Sequence, residues 1–205
     1  NAGNFSATRE SIECACVATD AANFTLLGEA LTSEDLADFL NRYFDMLFRP
    51  VARHGGFVSD IVGDAMLAIW PDRSADAREN MLSALLEMRE AARLFDEHPT
   101  AGGLQTRFGV DWGHVTLTMV GSATHYEYRA VGDPVNTATR IQELNKKLGT
   151  RVLVSLPALG DANRKYLVRD LGLFLLRGKT LPVQLSELIG LRDAATDDQL
   201  TLCRR

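Results

Sequence analysis

The feature that most constrains the fold is the order in which two hydrophobic periods replace each other along the chain. Residues 12–19 hold a short apolar run, Ile12, Cys14, Cys16, Val17 and Ala18, that stops at Thr19-Asp20 and predicts a buried strand with an acid at its end. Residues 32–54 change to helical spacing, with Leu36, Phe39, Leu40, Tyr43, Phe44, Leu47 and Val51 on one stripe, Thr32 or Ser33 as cap and Gly55-Gly56 as the stop. Residues 57–61 and 65–70 predict two strands joined through the tight turn Val62-Gly63-Asp64. A second helix over 75–97 carries the stripe Met81, Leu85, Met88, Ala92 and Phe95. Residues 107–112 and 114–120 alternate around Gly113 and predict a hairpin, 127–131 a short strand, and 134–148 a third helix. Residues 151–154, 165–176 and 183–189 complete the strands, with 156–162 a short helix or loop. The resulting β-α-β-β-α-β order predicts an α+β fold: a ferredoxin-like βαββαβ sheet with helices on one face, plus C-terminal strands.

The 205 residues suit one domain, read as 12–190, with 1–11 a linker or leader and 191–205 a polar tail. No run of eighteen apolar residues is present, and the start lacks the basic-then-apolar pattern of a signal peptide. A net charge of -5 argues against a broad electrostatic grip on nucleic acid, so no nucleic-acid partner is expected and any bound nucleotide needs a local cationic pocket. Cys14, Cys16 and Cys203 do not make a disulfide framework, which suits a reducing, cytoplasmic setting. His54 and His98 fall at predicted helix ends, and His114 and His125 lack partners at metal-ligand spacing; all four read as structural.

Three segments carry chemistry: Asp20-Ala21-Ala22-Asn23-Phe24-Thr25, Ile61-Val62-Gly63-Asp64-Ala65-Met66, and Val131-Gly132-Asp133-Pro134-Val135-Asn136-Thr137-Ala138-Thr139-Arg140. Each Asp alone suits a cap or a turn. In this order, the three segments resemble the class III adenylate/guanylate (nucleotidyl) cyclase catalytic domain of the bacterial receptor type, across roughly residues 12–189. The resemblance implies closure of a ribose 3'-hydroxyl onto the α-phosphate of a nucleoside triphosphate, releasing pyrophosphate. It assigns Asp20, Asp64 and the Ala21 carbonyl to two Mg²⁺ or Mn²⁺ ions per site, and backbone N–H groups of Ala22, Asn23, Phe24 and Thr25 to phosphate. Asn136 and Arg140, one helical turn apart, would orient the ribose and neutralise the α-phosphate in the transition state. Arg177 and Lys179, in Leu176-Arg177-Gly178-Lys179-Thr180, resemble the loop that contacts the terminal phosphates.

In that family the site is split across a head-to-tail homodimer, so that Asp20 and Asp64 of one protomer would face Asn136, Arg140, Asp60 and Arg129 of the other, and an upstream sensor, in some cases membrane-bound, often precedes the domain. Base choice falls to the positions held here by Asp60 and Arg129, which match neither the Lys with Asp or Thr of adenylate cyclases nor the Glu and Cys of guanylate cyclases. An acid at 60 can accept from guanine or uracil N–H groups while Arg129 donates to a carbonyl; adenine is served if the two exchange roles; or the pair binds itself and leaves the base unread. ATP is the default on family frequency alone, and a guanylate or a pyrimidine (uridylate) cyclase is the alternative. A catalytically silent nucleotide-binding dimerisation module is the rival from another class, and a diguanylate-type cyclase ranks last because its Gly-Gly-Asp/Glu-Glu-Phe signature is absent.

Overall fold

The first apolar run becomes the centre of the sheet. In the computed structural model, which describes residues 9–97, 104–122 and 125–203, Glu10–Ala22 forms β1, with antiparallel neighbours on both sides. There follow α1 (Phe24–Ala30), α2 (Ser33–Arg53), β2 (Phe57–Val62), β3 (Ala65–Pro71), α3 (Ala77–Asp96), β4 (Gln105–Ser122), β5 (His125–Val131), α4 (Asp133–Leu148), β6 (Val152–Ser155), α5 (Leu156–Leu159), β7 (Tyr166–Phe174), β8 (Val183–Leu191) and α6 (Asp197–Leu202). The strands join in the order β2-β3-β1-β4-β6-β8-β7, and β5 pairs with the far half of β4. β4 and β6 run parallel, so the chain between them must cross over the sheet, and α4 lies in that crossover.

The mixed α+β architecture is as expected, but the helices do not keep to one face. Ala15, Val17 and Ala21 of β1 join Phe39, Tyr43 and Leu47 of α2 and Met81, Leu85 and Met88 of α3 in one core. Cys14, Cys16 and Ala18, on the opposite face, join Ala138 of α4. A strand covered on both faces must be apolar at nearly every position, which is why this run does not alternate with polar residues. Gly109 makes the second layer possible: a Cβ there would lie 2.1 Å from the Gln142 backbone nitrogen and 2.3 Å from the Ala138 carbonyl oxygen. Helix backbone and strand backbone are therefore in direct contact.

The expected hairpin around Gly113 is instead one continuous strand, β4, paired with β1 from Glu10 opposite Leu117 to Ala22 opposite Gln105. Gly113 is needed for space rather than for a turn, since a Cβ would stand 2.9 Å from Pro134 Cγ at the start of α4. α2 begins where its cap was expected, with Thr32 Oγ1 accepting the Asp35 N–H at 3.1 Å, and its buried stripe includes Leu47, whose burial contributes roughly 2 kcal/mol. His54 Nε2 lies 3.0 Å from Glu87 and His114 lies 4.0 Å from Glu13, while His98 and residues 1–8 of the expected leader lie outside the described residues. The stretch read as a tail carries α6, whose Thr196 and Gln199 form a reciprocal capping box.

Candidate active site

Alternation along β1 turns Asp20 toward α4, where its Oδ2 accepts from Gln142 Nε2 at 3.4 Å. Asp64 arrives from another strand pair: Val62 faces Ala65 across the β2–β3 hairpin, Gly63 takes φ +61°, and Asp64 completes the two-residue turn. The backbone N–H of Ala21 donates to Asp64 Oδ2 at 3.0 Å, and Thr19 Oγ1 accepts the Met66 N–H at 3.1 Å. These two bonds fasten the hairpin tip to the end of β1 and set the two acids side by side. Burial raises the pKa of the Asp20 carboxyl, Asp64's charge and hydrogen bond raise it further, and Arg107 partly offsets the effect.

Two oxygen donors pressed together against their mutual repulsion fit a hard divalent cation, which would relieve that repulsion. Among the described residues no third His, Cys, Asp or Glu joins them. Such a pair suits a Mg²⁺-like ion that takes its remaining oxygens from substrate phosphates and backbone. The Ala21 carbonyl, expected as a ligand, belongs to the residue whose N–H holds Asp64.

Ala22, Asn23, Phe24 and Thr25 are not a plain loop. Ala22 ends β1, Asn23 takes the left-handed conformation at φ 69°, and Phe24 and Thr25 open α1. All four line a cavity of about 390 Å³ together with Asp20 and Asp64. Two cations that the sequence reading did not name, Arg107 and Lys146, line it as well. The missing signal was strand register: Arg107 lies directly across from Asp20 in the β1–β4 ladder.

Asn136 and Arg140 are not part of that cavity in the same chain, nor are Arg177 and Lys179. Asn136 is exposed on α4, and Arg140 rests on the loop after β7, where a Cβ at Gly178 would be 3.3 Å from Arg140 Nη2. Lys179 Nζ donates to Asp133 Oδ2 at the start of α4, while Arg177 is exposed. α4 therefore has two working sides: Gln142 and Glu143 face the acids of their own chain, and Arg140 faces the basic loop.

A third cluster surrounds Asp60. β2 bulges between Val58 and Asp60, and the Ser59 hydroxyl at the bulge accepts the Ala130 N–H of β5 at 3.1 Å. This bond carries Asp60 to Arg129, whose Nη2 lies 3.3 Å from Asp60 Oδ1 and 2.6 Å from Glu127 Oε2. Asp60 also lines a cavity of about 410 Å³ with Ala18, Met66, Leu67, Val135 and Thr139.

The description "adenylate and guanylate cyclase catalytic domain" belongs to a family model that matches residues 7–186. Adenylate cyclase 1 of Rhizobium meliloti (strain 1021) is 31% identical over 183 residues, 87% of this chain and 28% of that protein. The terminal-differentiation-specific adenylate cyclase of Dictyostelium discoideum is 27% identical over 90% of this chain and 9% of its own length. The chain thus spans under a third of these curated relatives. Among solved structures, the adenylyl cyclase CyaB from P. aeruginosa matches with a TM-score of 0.79 at 24% identity, covering 92% of this chain and 100% of that one. The guanylate cyclase domain of RhGC from Catenaria anguillulae, in complex with GTP, matches with a TM-score of 0.76 at 22% identity, covering 89% and 100%. At these identities the structures speak for the fold. Among the described residues no helix is long and apolar enough to cross a membrane. The chain belongs to the adenylate and guanylate cyclase catalytic-domain family, whose members are lyases that make cyclic nucleotides and are generally metal-dependent.

Proposed function

We propose that this chain cyclises a purine nucleoside triphosphate to the 3',5'-cyclic monophosphate and pyrophosphate, in a site completed by a second, head-to-tail copy. The observation that carries this reading is the hydrogen bond from the Ala21 N–H to Asp64, which sets two acids from separate strands beside each other in a cavity with Arg107 and Lys146. The 3'-oxygen attacks the α-phosphorus, the bond to the β-phosphate bridging oxygen breaks, and the hydroxyl proton leaves to solvent or phosphate. Asp20, Asp64 and the Ala21 carbonyl would hold two Mg²⁺ or Mn²⁺ ions, which supply charge neutralisation and a more acidic 3'-hydroxyl. Residues 22–25 direct N–H groups at the phosphates, and Arg107 and Lys146 balance the charge of the departing pyrophosphate.

The partner chain would supply Asn136 to the ribose, Arg140 to the α-phosphate, Asp60 and Arg129 to the base, and Arg177 and Lys179 to the terminal phosphates. Two features support this split: one chain keeps these residues out of its own acid cavity, and an apolar side chain is exposed near the acids, Val62 on the β2–β3 tip being 66% exposed. Relatives several times longer than this chain support a larger protein; in it a sensor would precede the domain, with the catalytic part in the cytoplasm.

Product analysis tests the reaction: ATP, GTP, CTP and UTP are each supplied with Mn²⁺, and cyclic products are separated and quantified. A cyclic purine nucleotide that disappears in Asp64→Asn supports the reading, and nucleotide binding without product replaces it with a silent module. Mixing Asp64→Asn with Arg140→Ala tests the dimer. A head-to-tail pair of these inactive chains contains one undamaged site and regains activity; a site built within one chain regains none.

A further inference from the structure

We infer that Glu127 sets the base preference of this site by holding Arg129, and that the preference is for guanine; this rests on the cyclase reading above. Ala18, Met66, Leu67 and Val135 give the 410 Å³ cavity apolar walls suited to a flat ring, and Asp60 stands in its lining while Arg129 does not. A carboxylate only accepts hydrogen bonds. Guanine presents N1–H and N2–H₂ side by side, so one carboxylate can take both, whereas adenine places the N1 lone pair beside its single amino donor. Adenine would therefore repel Asp60 at N1 unless a donor such as Arg129 turned toward that atom.

Glu127 works against that turn. It precedes Arg129 by two residues on β5 and so lies on the same side of the strand. Its Oε2 is 2.6 Å from Arg129 Nη2, closer than Asp60 Oδ1 at 3.3 Å. Arg129 and Glu127 line a separate depression of about 250 Å³ outside the larger cavity, and Asp60 lines both. Two carboxylates share one guanidinium, and Arg129 and the Ile61 N–H both reach Asp60 Oδ1, which leaves acceptor capacity at Oδ2 for donors on the base. Glu127 is thus a positioning residue that acts through Arg129.

Initial rates with GTP and with ATP, each with Mn²⁺, on the parent and on Glu127→Gln provide the test. Glu127 is 45% exposed, so the variant keeps the fold. The parent should favour GTP, and in the variant the GTP-to-ATP ratio of kcat/KM should fall roughly tenfold, through KM, with kcat for GTP little changed. An unchanged ratio, or a parent that favours ATP, overturns the inference. If the parent cyclises neither nucleotide, the cyclase reading fails instead, and equilibrium binding still decides the role of Glu127. Tighter GTP than ATP in the parent, with the difference lost in Glu127→Gln, supports it; equal binding in the parent defeats it.

Discussion

The acid pair and the base-reading cluster are built in opposite ways. Asp20 and Asp64 are fixed by backbone: a central strand, a two-residue turn and the Ala21 N–H leave their carbon frames little freedom. Asp60, Arg129 and Glu127 depend on side chains reaching between a bulged edge strand and a ribbon that pairs only with β4. The contrast separates two duties. Chemistry common to every nucleotide sits on rigid elements, and choice among nucleotides sits where a side chain can change partners.

Four experiments break or sharpen this contrast. Asp64→Asn should lower cyclase turnover by on the order of a thousandfold, because transition-state charge loses its counter-ion. Its melting temperature should be equal or higher, since a repulsion within the fold is removed; a matching loss of stability would mean that the acid is structural. Gly109→Ala should cost about 3 kcal/mol in denaturant unfolding, because the α4 backbone blocks the new methyl and cannot give way as a side chain would. α4 carries Gln142 away from Asp20 if it lifts, so this variant should impair cyclisation of every nucleotide alike. Ser59→Ala should cost about 1 kcal/mol by leaving the Ala130 N–H unpaired, and should relax base selectivity while cyclisation continues. Equal damage to all nucleotides there would join the two clusters into one unit.

Asp96, at the end of α3, serves as a reference that belongs to neither cluster. Its Oδ1 is buried without a hydrogen-bond partner, and burial pushes its pKa up to about 6 from 3.8, with Arg151 at 3.7 Å offsetting part of the cost. The folded chain then keeps a proton that the unfolded chain has lost, so stability falls as pH rises from about 4 to about 6. Asp96→Asn should flatten that slope in melting curves taken across the interval, without changing base selectivity. A slope identical to the parent's would remove Asp96 as its cause.

The legible parts of the sequence were those governed by local period and turn chemistry. α2 follows from its stripe and Thr32 cap, and the placement of Asp64 follows from Val62-Gly63-Asp64 between two strands. Gly113 misled because a glycine between alternating runs has the same appearance whether it turns the chain or clears space for Pro134. Gly109 likewise gave no local sign that a helix would rest on it. Arg107 and Lys146 went unnamed because they reach the acids through strand register and helix placement, which are set by distant parts of the chain. Asp60 and Arg129 were singled out, yet the closeness of Glu127 to Arg129 depends on which face of β5 turns toward β2.

The bulge at Ser59 has a consequence for how such domains diversify. Deleting Ser59 would restore regular pairing with Asp60 still opposite Leu67, but it would remove the hydroxyl that holds the Ala130 N–H, so Asp60 and Arg129 would lose the bond that brings their strands together while β3 and the turn at Asp64 kept their places. Lineages descended from a chain like this one could therefore change the nucleotide they read by a three-base deletion in the gene, leaving every codon of the acid pair untouched.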